Sequence, residues 1–447
     1  MLVMSGASIT RRKGLMQPGS TCSSAITNGT PASINNIYDA IVIGLGGVGS
    51  FALRSAAIKN KQIRVLGIER FQLGHELGSS HGDSRLFRHA YFEHPNYVPL
   101  CLRSTQMFQE LCDWKRAKST NDGIIPTRTH VPLLEQCGVL MVSDRTSDDG
   151  TYEFIQRCLN SAQAHEIPVE MLDSYEMIQR YGNLFDIHDK MRGLLEPGAG
   201  FVRPELALQY AIEDAIDNGA DIVENSEVVS IEVQSSDCDA NTIHVETSTG
   251  QRYQTRAVLV SAGAWTSKLL PDWAPHLTVT RQVQAWFEPG DVQKFRPSSS
   301  CPGWYLDRTN ESLGLYGFPA DPLSSHHSKH VKIALHGRDV PFDPDDPRPQ
   351  VTNGEIDELR DAVKAWIPEA LERMVASKAC LYTMSPDGDF ILDRAPGFGD
   401  GGNIWCVAGL SGHGFKMTPA LGAAAADLIV DGQTELPVGF LNADRLR

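Results

Sequence analysis

The stretch YDAIVIGLGGVGSFALRSAAIKNKQIRVLGIE, residues 38–69, decides the fold of this 447-residue chain. It begins with a β-branched run, turns through Gly44, Gly46 and Gly49, and ends in a second apolar run followed by Glu69. A G-x-G-x-x-G turn between a strand and a helix lets backbone amides approach a pyrophosphate, and an acid after the second strand can bind ribose hydroxyls. The stretch therefore predicts a dinucleotide-binding unit, but its spacing does not distinguish NAD from FAD.

The composition indicates the class of protein. Hydrophobic residues make up 41% and charged residues 21% of the chain, and no apolar run is long enough to span a membrane. The net charge of -15 argues against nucleic acid as a partner. Nine cysteines without C-x-x-C spacing favour free thiols in a reducing compartment over a disulfide framework. We therefore expect a soluble intracellular protein of two domains, without a metal site.

The first 36 residues differ from the rest of the chain. They contain three basic residues and no Asp or Glu, and they are rich in Ser, Thr, Asn and Gly. This composition fits an organelle transit segment, and it fits a disordered tail equally well. The location is therefore left open between an organelle and the cytoplasm, although the C-terminal Arg-Leu-Arg does not match the peroxisomal signal Ser-Lys-Leu.

Other segments suggest further elements and a site. The polar segment SSHGDSRLFRH, residues 79–89, follows the strand before Glu69, where the edge of a parallel sheet binds nucleotides. Alternation over residues 329–336 places Lys332 and His336 on one face of a strand. Residue patterns predict helices over 100–114, 201–218 and 355–366, a strand pair over 222–233 and 243–247, and a closely packed helix after an N-cap at Thr418.

Five segments together resemble the FAD-dependent monomeric sarcosine oxidase and N-methyltryptophan oxidase family. They are GLGGVG with Glu69, SSHGDSRLFRHAYFEHPNYVPL, SAGAWTSKLL, YGFP with residues 332–336, and ACLYTMSPDGDFILD with GLSGHGFK. The resemblance implies an α/β fold, in which a Rossmann-like FAD-binding domain of the glutathione-reductase type is interleaved with an α+β substrate domain on a large mixed or antiparallel sheet. The boundaries implied are 37–115, 196–270 and 385–440 for the FAD-binding domain, and 116–195 and 271–384 for the substrate domain.

The resemblance also assigns residues to the cofactor. Cys380 matches the cysteine that forms a thioether to the flavin in this family, which implies covalent FAD. His81, Ser84 and Arg85 match the loop that packs against the flavin, and Arg85 is counted among the catalytic residues. Gly412 matches the glycine turn beside the cofactor.

A second group of residues is implied to bind the substrate. Arg88 and Lys416 match the pair that holds a carboxylate, Lys416 being counted with the cofactor residues as well, and Tyr382 matches a residue lining the same site. Lys332 matches the lysine near the flavin where oxygen reacts, and His336 matches a histidine that flanks the substrate. These cations, with a charged His336, would disfavour a further positive charge and lower the pKa of a bound amine.

The reaction implied is oxidation of an N-methyl amino acid such as sarcosine to an imine by a monomeric enzyme. Oxygen would be reduced to hydrogen peroxide, and hydrolysis of the imine would release formaldehyde. Pipecolate, a cyclic secondary amino acid, remains an alternative substrate, because the segment ADPLSSHHSKHV (320–331) is longer than expected near the substrate entrance. Two different classes of protein also stay open, an NAD-dependent dehydrogenase and a flavin-binding protein without turnover.

Overall fold

A computed structural model describes residues 37–121, 131–147, 150–234, 242–307, 313–347, 350–399 and 402–446. The predicted N-terminal extension, residues 1–36, lies outside these ranges. The helices are α1 (Gly47–Lys59), α2 (Tyr97–Asn121), α3 (Glu153–Ala164), α4 (Ser174–Tyr181), α5 (Pro204–Asp217), α6 (Thr266–Leu269), α7 (Asn353–Trp366) and α8 (Thr418–Asp431). Within the described ranges, no helix is both long and apolar enough to cross a bilayer.

Within the part of the chain that the structure describes, the strands belong to four sheets. In chain order they are β1 (Ile37–Tyr38), β2 (Ala40–Ile43), β3 (Val65–Ile68), β4 (Arg85–Phe87), β5 (Leu134–Glu135), β6 (Val139–Ser143), β7 (Glu170–Leu172), β8 (Arg192–Glu196), β9 (Gly200–Val202), β10 (Asp221–Val223), β11 (Val228–Gln234), β12 (Thr242–Thr247), β13 (Arg252–Thr255), β14 (Val258–Val260), β15 (Thr278–Glu288), β16 (Gly303–Asp307), β17 (Gly314–Phe318), β18 (Val331–His336), β19 (Arg373–Met384), β20 (Ile391–Arg394) and β21 (Ile404–Ala408).

The glycine-rich stretch forms β2, α1 and β3, as predicted, at the centre of a six-stranded sheet. Its order is β10-β3-β2-β14-β21-β20; β20 is antiparallel to β21 and the other pairs are parallel. The carboxyl ends of parallel strands lie at one edge of a sheet. Gly44, Glu69, Ser261 and Gly409, which follow β2, β3, β14 and β21, therefore come together there.

Small residues let α1 and α8 pack closely on this sheet. A side chain added at Gly422 of α8 would lie 2.6 Å from the backbone nitrogen of Ala52 in α1. One added at Gly47, at the start of α1, would lie 2.8 Å from Thr418 at the start of α8. The close packing predicted for the last helix is thus confirmed. It brings the amino-terminal ends of both helices to the same edge of the sheet.

The second large sheet has eight strands in the order β19-β15-β18-β17-β16-β6-β8-β7. It is mixed, because β16 and β6 are parallel while β15 pairs antiparallel with both β18 and β19. One face packs on α4 and α7 around the buried Trp304 and Trp366. The opposite face carries a row of three paired residues, in which Tyr305 pairs with Tyr316 and Tyr316 pairs with Ala334. Lys332 and His336 lie two positions before and after Ala334 on β18, so they share this face.

The predicted α/β class, with a Rossmann-like unit beside a mixed sheet, is confirmed, and three element predictions need correction. Residues 201–218 are not one helix, because Phe201 pairs with Leu86 and Glu135 in a three-stranded sheet before α5 begins at Pro204. Residues 222–233 form β10 and β11 in different sheets, separated at Asn225, whose φ is 53°. Thr418 is the first residue of α8 rather than its N-cap, which is Met417. The domain boundaries stay a prediction.

Candidate functional site

One large cavity lies between the carboxyl edge of the six-stranded sheet and the open face of the eight-stranded sheet. Most of the residues singled out in the sequence line it. They are Gly44, Gly46, Glu69, Arg85, Arg88, His336, Cys380, Tyr382, Gly412 and Lys416. Gly49, His81, Ser84 and Lys332 lie behind the wall of the cavity and support it. The site therefore combines the two separate groups of sequence predictions.

The glycine turn has no room for a side chain at Gly44 or at Gly49. Gly44 has a φ of 86°, and a Cβ there would lie 2.7 Å from the carbonyl oxygen of Ser261. A Cβ on Gly49 would lie 1.8 Å from the carbonyl oxygen of Gly44. At Gly46 the nearest atom would be Ser80 Oγ at 3.9 Å, so the backbone there is open to the cavity. An anionic phosphate can thus approach the first amides of α1.

Glu69 holds the turn from the end of β3. Its carboxylate accepts hydrogen bonds from the amides of Leu45 (2.8 Å) and Phe71 (3.0 Å), and His75 Nε2 lies 3.3 Å away. The carboxylate is buried beside the glycine turn but still lines the cavity. The carboxylate lies where an acid at the end of the second strand can accept hydrogen bonds from ribose hydroxyls.

Two cations hold the loop of residues 79–85 against the cavity. Arg85 donates to the carbonyl oxygens of Ser79 (2.7 Å), His81 (2.6 Å) and Ser84 (2.8 Å). Lys332 Nζ donates to the carbonyl oxygens of Gly82 (2.6 Å) and Ser84 (2.8 Å). Burial, followed by the charge of Arg85, lowers the pKa of Lys332 well below its ordinary value. Both cations thus shape the loop, and Lys332 lies one layer behind the surface of the cavity.

Strands β18 and β19 of the eight-stranded sheet supply the residues that face the glycine turn across the cavity. Cys380 and Tyr382, two positions apart on β19, both line the cavity. The ring of Tyr382 packs tightly on Gly412, because a Cβ added at Gly412 would lie 2.3 Å from that ring. His336 Nδ1 lies 3.4 Å from the Tyr382 hydroxyl. Burial lowers the pKa of His336 to about 4, so the imidazole is neutral at pH 7 and the expectation of a charged His336 is wrong.

The far end of the cavity carries three charged groups. Arg88 Nη2 lies 3.0 and 3.1 Å from the two carboxylate oxygens of Glu93, and Lys416 lines the same region. Burial, followed by Arg88, lowers the pKa of Lys416 to about 8. Burial opposes ionisation of Glu93, but the charge of Arg88 still holds its pKa below the ordinary value. The three charges leave a net positive site, which suits an anionic ligand.

Three residues of this region were missed in the sequence. Glu93 pairs with Arg88, and Tyr91 and His413 contact Lys416. Glu93 and Tyr91 lie in the segment that carries the resemblance, and an acid five residues after a site arginine was the one available signal. The contact between Tyr91 and Lys416 joins distant parts of the chain, so no local pattern could reveal it.

The residues present fit a bound FAD. The glycine turn, Glu69 and the start of α1 suit an adenine dinucleotide, and the cavity continues from them to Cys380 and Gly412. Gly412, with a φ of 79°, lines the cavity and packs directly against the ring of Tyr382 on β19. A long, flat, anionic cofactor can therefore extend from the sheet edge to the charged end.

Comparisons with known proteins agree with this fit. The family model for FAD dependent oxidoreductases matches residues 39–428. Monomeric sarcosine oxidase of Streptomyces avermitilis is 32% identical over 410 residues, covering 92% of this chain and 98% of the relative. N-methyl-L-tryptophan oxidase of Yersinia pestis is 31% identical over 417 residues, covering 92% of this chain and 100% of the relative.

Solved structures show the same fold. NikD, an unusual amino acid oxidase essential for nikkomycin biosynthesis, superimposes with a TM-score of 0.73 at 21% identity, covering 91% of this chain and 98% of its own. Glycine oxidase from Geobacillus kaustophilus gives 0.69 at 19% identity, covering 92% and 99%. With the matched family model and the sequence relatives, these findings identify the chain as a member of the FAD-dependent oxidoreductase family that includes monomeric sarcosine oxidase.

Proposed function

We propose that this protein is an oxidase of secondary amino acids, with an N-methyl amino acid such as sarcosine as substrate and oxygen as acceptor. The observation that carries the proposal is the pair of cations, Arg88 and Lys416, at the end of the cavity that also holds Tyr382 and His336. Two relatives that are about one-third identical are named for N-methyl amino acid substrates, which supports the same substrate class.

The protein's part in the reaction begins with the substrate carboxylate. Arg88 offers a planar guanidinium and Lys416 a point charge, so a carboxylate between them would receive charge-assisted hydrogen bonds. Lys416 Nζ already donates to the His413 carbonyl oxygen (2.8 Å) and the Tyr91 hydroxyl (3.2 Å). Among the described residues these are its two acceptors, which leaves the third N–H for the ligand. Glu93 holds Arg88 in place, and an incoming carboxylate must share that guanidinium with it.

The amine would lie near groups that carry no charge. His336 is neutral, and burial raises the pKa of Tyr382 well above its ordinary value, so its hydroxyl keeps its proton. The cations at the carboxylate end disfavour an ammonium group beside them, which favours the reactive neutral amine. When bound, FAD would accept a hydride equivalent from the carbon beside the nitrogen and return the electrons to oxygen.

A visible spectrum of the purified protein tests the proposal. We expect a yellow protein that bleaches without air on addition of sarcosine, N-methyltryptophan or pipecolate, and that recovers its colour when air is admitted. The amino acid that bleaches it fastest identifies the substrate class, and dimethylamine, which lacks the carboxylate of sarcosine, serves as the matched control. A colourless protein that oxidises substrate only with added NAD would contradict the proposal and support a dehydrogenase.

We further propose that FAD is bound covalently through Cys380, because this buried thiol lines the cavity beside Tyr382. Acid-precipitated wild-type protein is expected to stay yellow, whereas the Cys380→Ser variant should release all of its FAD into the supernatant. Cys406→Ser is the matched control, since Cys406 is equally buried but lies on β21. Full release of FAD from the wild type would exclude the link.

A further inference from the structure

Tyr91 contacts both cations of the carboxylate site. The Arg88 guanidinium carbon lies 4.4 Å from the centre of the Tyr91 ring, and Lys416 Nζ lies 5.0 Å from it. An aromatic ring attracts cations through its quadrupole, and this attraction is stronger where water is excluded. Tyr91 is 1% exposed. Its ring therefore offsets the repulsion between two cations that stand close together.

The hydrogen-bond acceptor of the Tyr91 hydroxyl can be assigned from the contacts of His413. His413 Nε2 lies 3.0 Å from the carbonyl oxygen of Gly388, which can only accept, so Nε2 carries the proton. The ring is neutral because burial lowers its pKa to about 4, so Nδ1 is an acceptor. The Tyr91 hydroxyl, 2.6 Å from Nδ1, therefore donates to it. The phenol oxygen is then left as an acceptor for Lys416 Nζ at 3.2 Å.

We propose that Tyr91 is a positioning residue for carboxylate binding: its ring holds Arg88 and Lys416 side by side, and its hydroxyl, fixed by His413, orients Lys416 towards the cavity. The inference rests on the proposed function, because it assumes that these two cations bind the substrate carboxylate. Tyr91 and the His413 carbonyl oxygen accept two of the three N–H groups of Lys416. Because the ammonium group is tetrahedral, these two hydrogen bonds also fix the direction of the third N–H. Tyr91 acts through these cations and touches no reacting atom.

Acetate is the probe for this role, because it carries a carboxylate but no oxidisable amine. The holoenzyme is titrated with acetate, and binding is followed by the change in the flavin absorption spectrum. Tyr91→Phe keeps the ring and removes the hydroxyl, so the dissociation constant should rise about tenfold, as expected for loss of one hydrogen bond to a charged group. Tyr91→Leu also removes the ring and should raise it about 100-fold, since the attraction to both cations is lost as well.

The matched control is Tyr97→Phe. Tyr97 is a buried neighbour whose ring centre lies 5.1 Å from that of Tyr91, but its hydroxyl donates to Asp389 (3.0 Å) and accepts from the amide of Phe390 (2.9 Å). The affinity for acetate should therefore stay unchanged in this variant. With the substrate, Tyr91→Phe should raise the half-saturating concentration rather than lower the limiting rate of bleaching.

The pH dependence gives a second readout. Acetate affinity should fall as the pH rises through about 8, where Lys416 loses its charge. Removing the phenol oxygen destabilises the charged ammonium, so Tyr91→Phe should move this midpoint to lower pH. The titratable and charged groups that face Lys416 are Arg88, Tyr91, Glu93, Cys101, His336 and His413.

Each outcome decides the inference. If Arg88→Ala weakens acetate binding but Tyr91→Phe changes neither the affinity nor the midpoint, the positioning role is excluded and the proposed function stands. If the wild type binds no acetate, or if binding does not depend on Arg88, both the proposed carboxylate site and the role of Tyr91 fall. If Tyr97→Phe weakens acetate binding as much as Tyr91→Phe, the effect is a general loss of packing and the inference is again excluded.

Discussion

Replacing Arg88 by Ala is expected to raise the half-saturating concentration of the N-methyl amino acid substrate about 100- to 1000-fold. Removing one partner of a buried, hydrogen-bonded charge pair typically costs about 2–5 kcal/mol. Here the loss has two parts, because the substrate loses its guanidinium partner and Glu93 is left unpaired at 17% side-chain exposure. An uncompensated carboxylate at that position would also repel the carboxylate of the substrate.

A double variant separates the two parts. In Arg88→Ala/Glu93→Gln the repelling charge is removed, so affinity should recover partly, by about tenfold, relative to Arg88→Ala alone. Steady-state kinetics with the substrate and with its amine lacking the carboxylate provide the measurement. The amine should lose little in either variant. Equal losses for the amino acid and the amine would instead assign Arg88 a purely structural role.

The sequence carried the information for the fold mainly where local spacing and chemistry agree. The steric roles of Gly44 and Gly49 were predicted correctly, because a turn that leaves no room for a Cβ can be read from neighbouring residues. The ribose-binding role of Glu69 stays a prediction. The helix predicted over 201–218 was wrong at its start, since Phe201 pairs with strands that lie more than 60 residues away in the chain. Pairing between distant segments overrides local preference, and no spacing rule includes it.

In the candidate site, too, the residue types could be predicted from local segments, whereas contacts between distant segments could not. The residue types at Arg88, Cys380 and Lys416 were identified through segments that resemble a family, and the structure brings them into one cavity. Their electrostatic setting was not accessible from the sequence. The pairing of Arg88 with Glu93 and the neutral state of His336 depend on burial and on groups from several strands. Such effects follow only from the packed structure.

Lys332 differs from the other site residues, because it supports the cavity wall instead of lining it. Its two hydrogen bonds to the carbonyl oxygens of Gly82 and Ser84 fix a cation beneath the loop of residues 79–85. The ring centre of Phe318 lies 4.9 Å from Lys332 Nζ and that of Trp286 lies 5.9 Å away. Burial lowers the pKa of Lys332, but the nearby carboxylates of Glu205 and Asp83 favour its charged form. In such a poorly solvated position, a fixed cation stabilises developing negative charge most effectively.

Lys332→Met is therefore expected to slow the recovery of the flavin colour in air about 100- to 1000-fold, the usual cost of losing one fixed electrostatic partner. Anaerobic bleaching by the substrate should change only a few-fold, since Met keeps most of the apolar stem. Stopped-flow absorbance measures the two steps separately. Lys378→Met is the matched control, because Lys378 lies on β19 and pairs with Glu76 at the surface. If both steps slow by the same factor, Lys332 serves only to hold the loop, and the melting temperature should then fall in parallel.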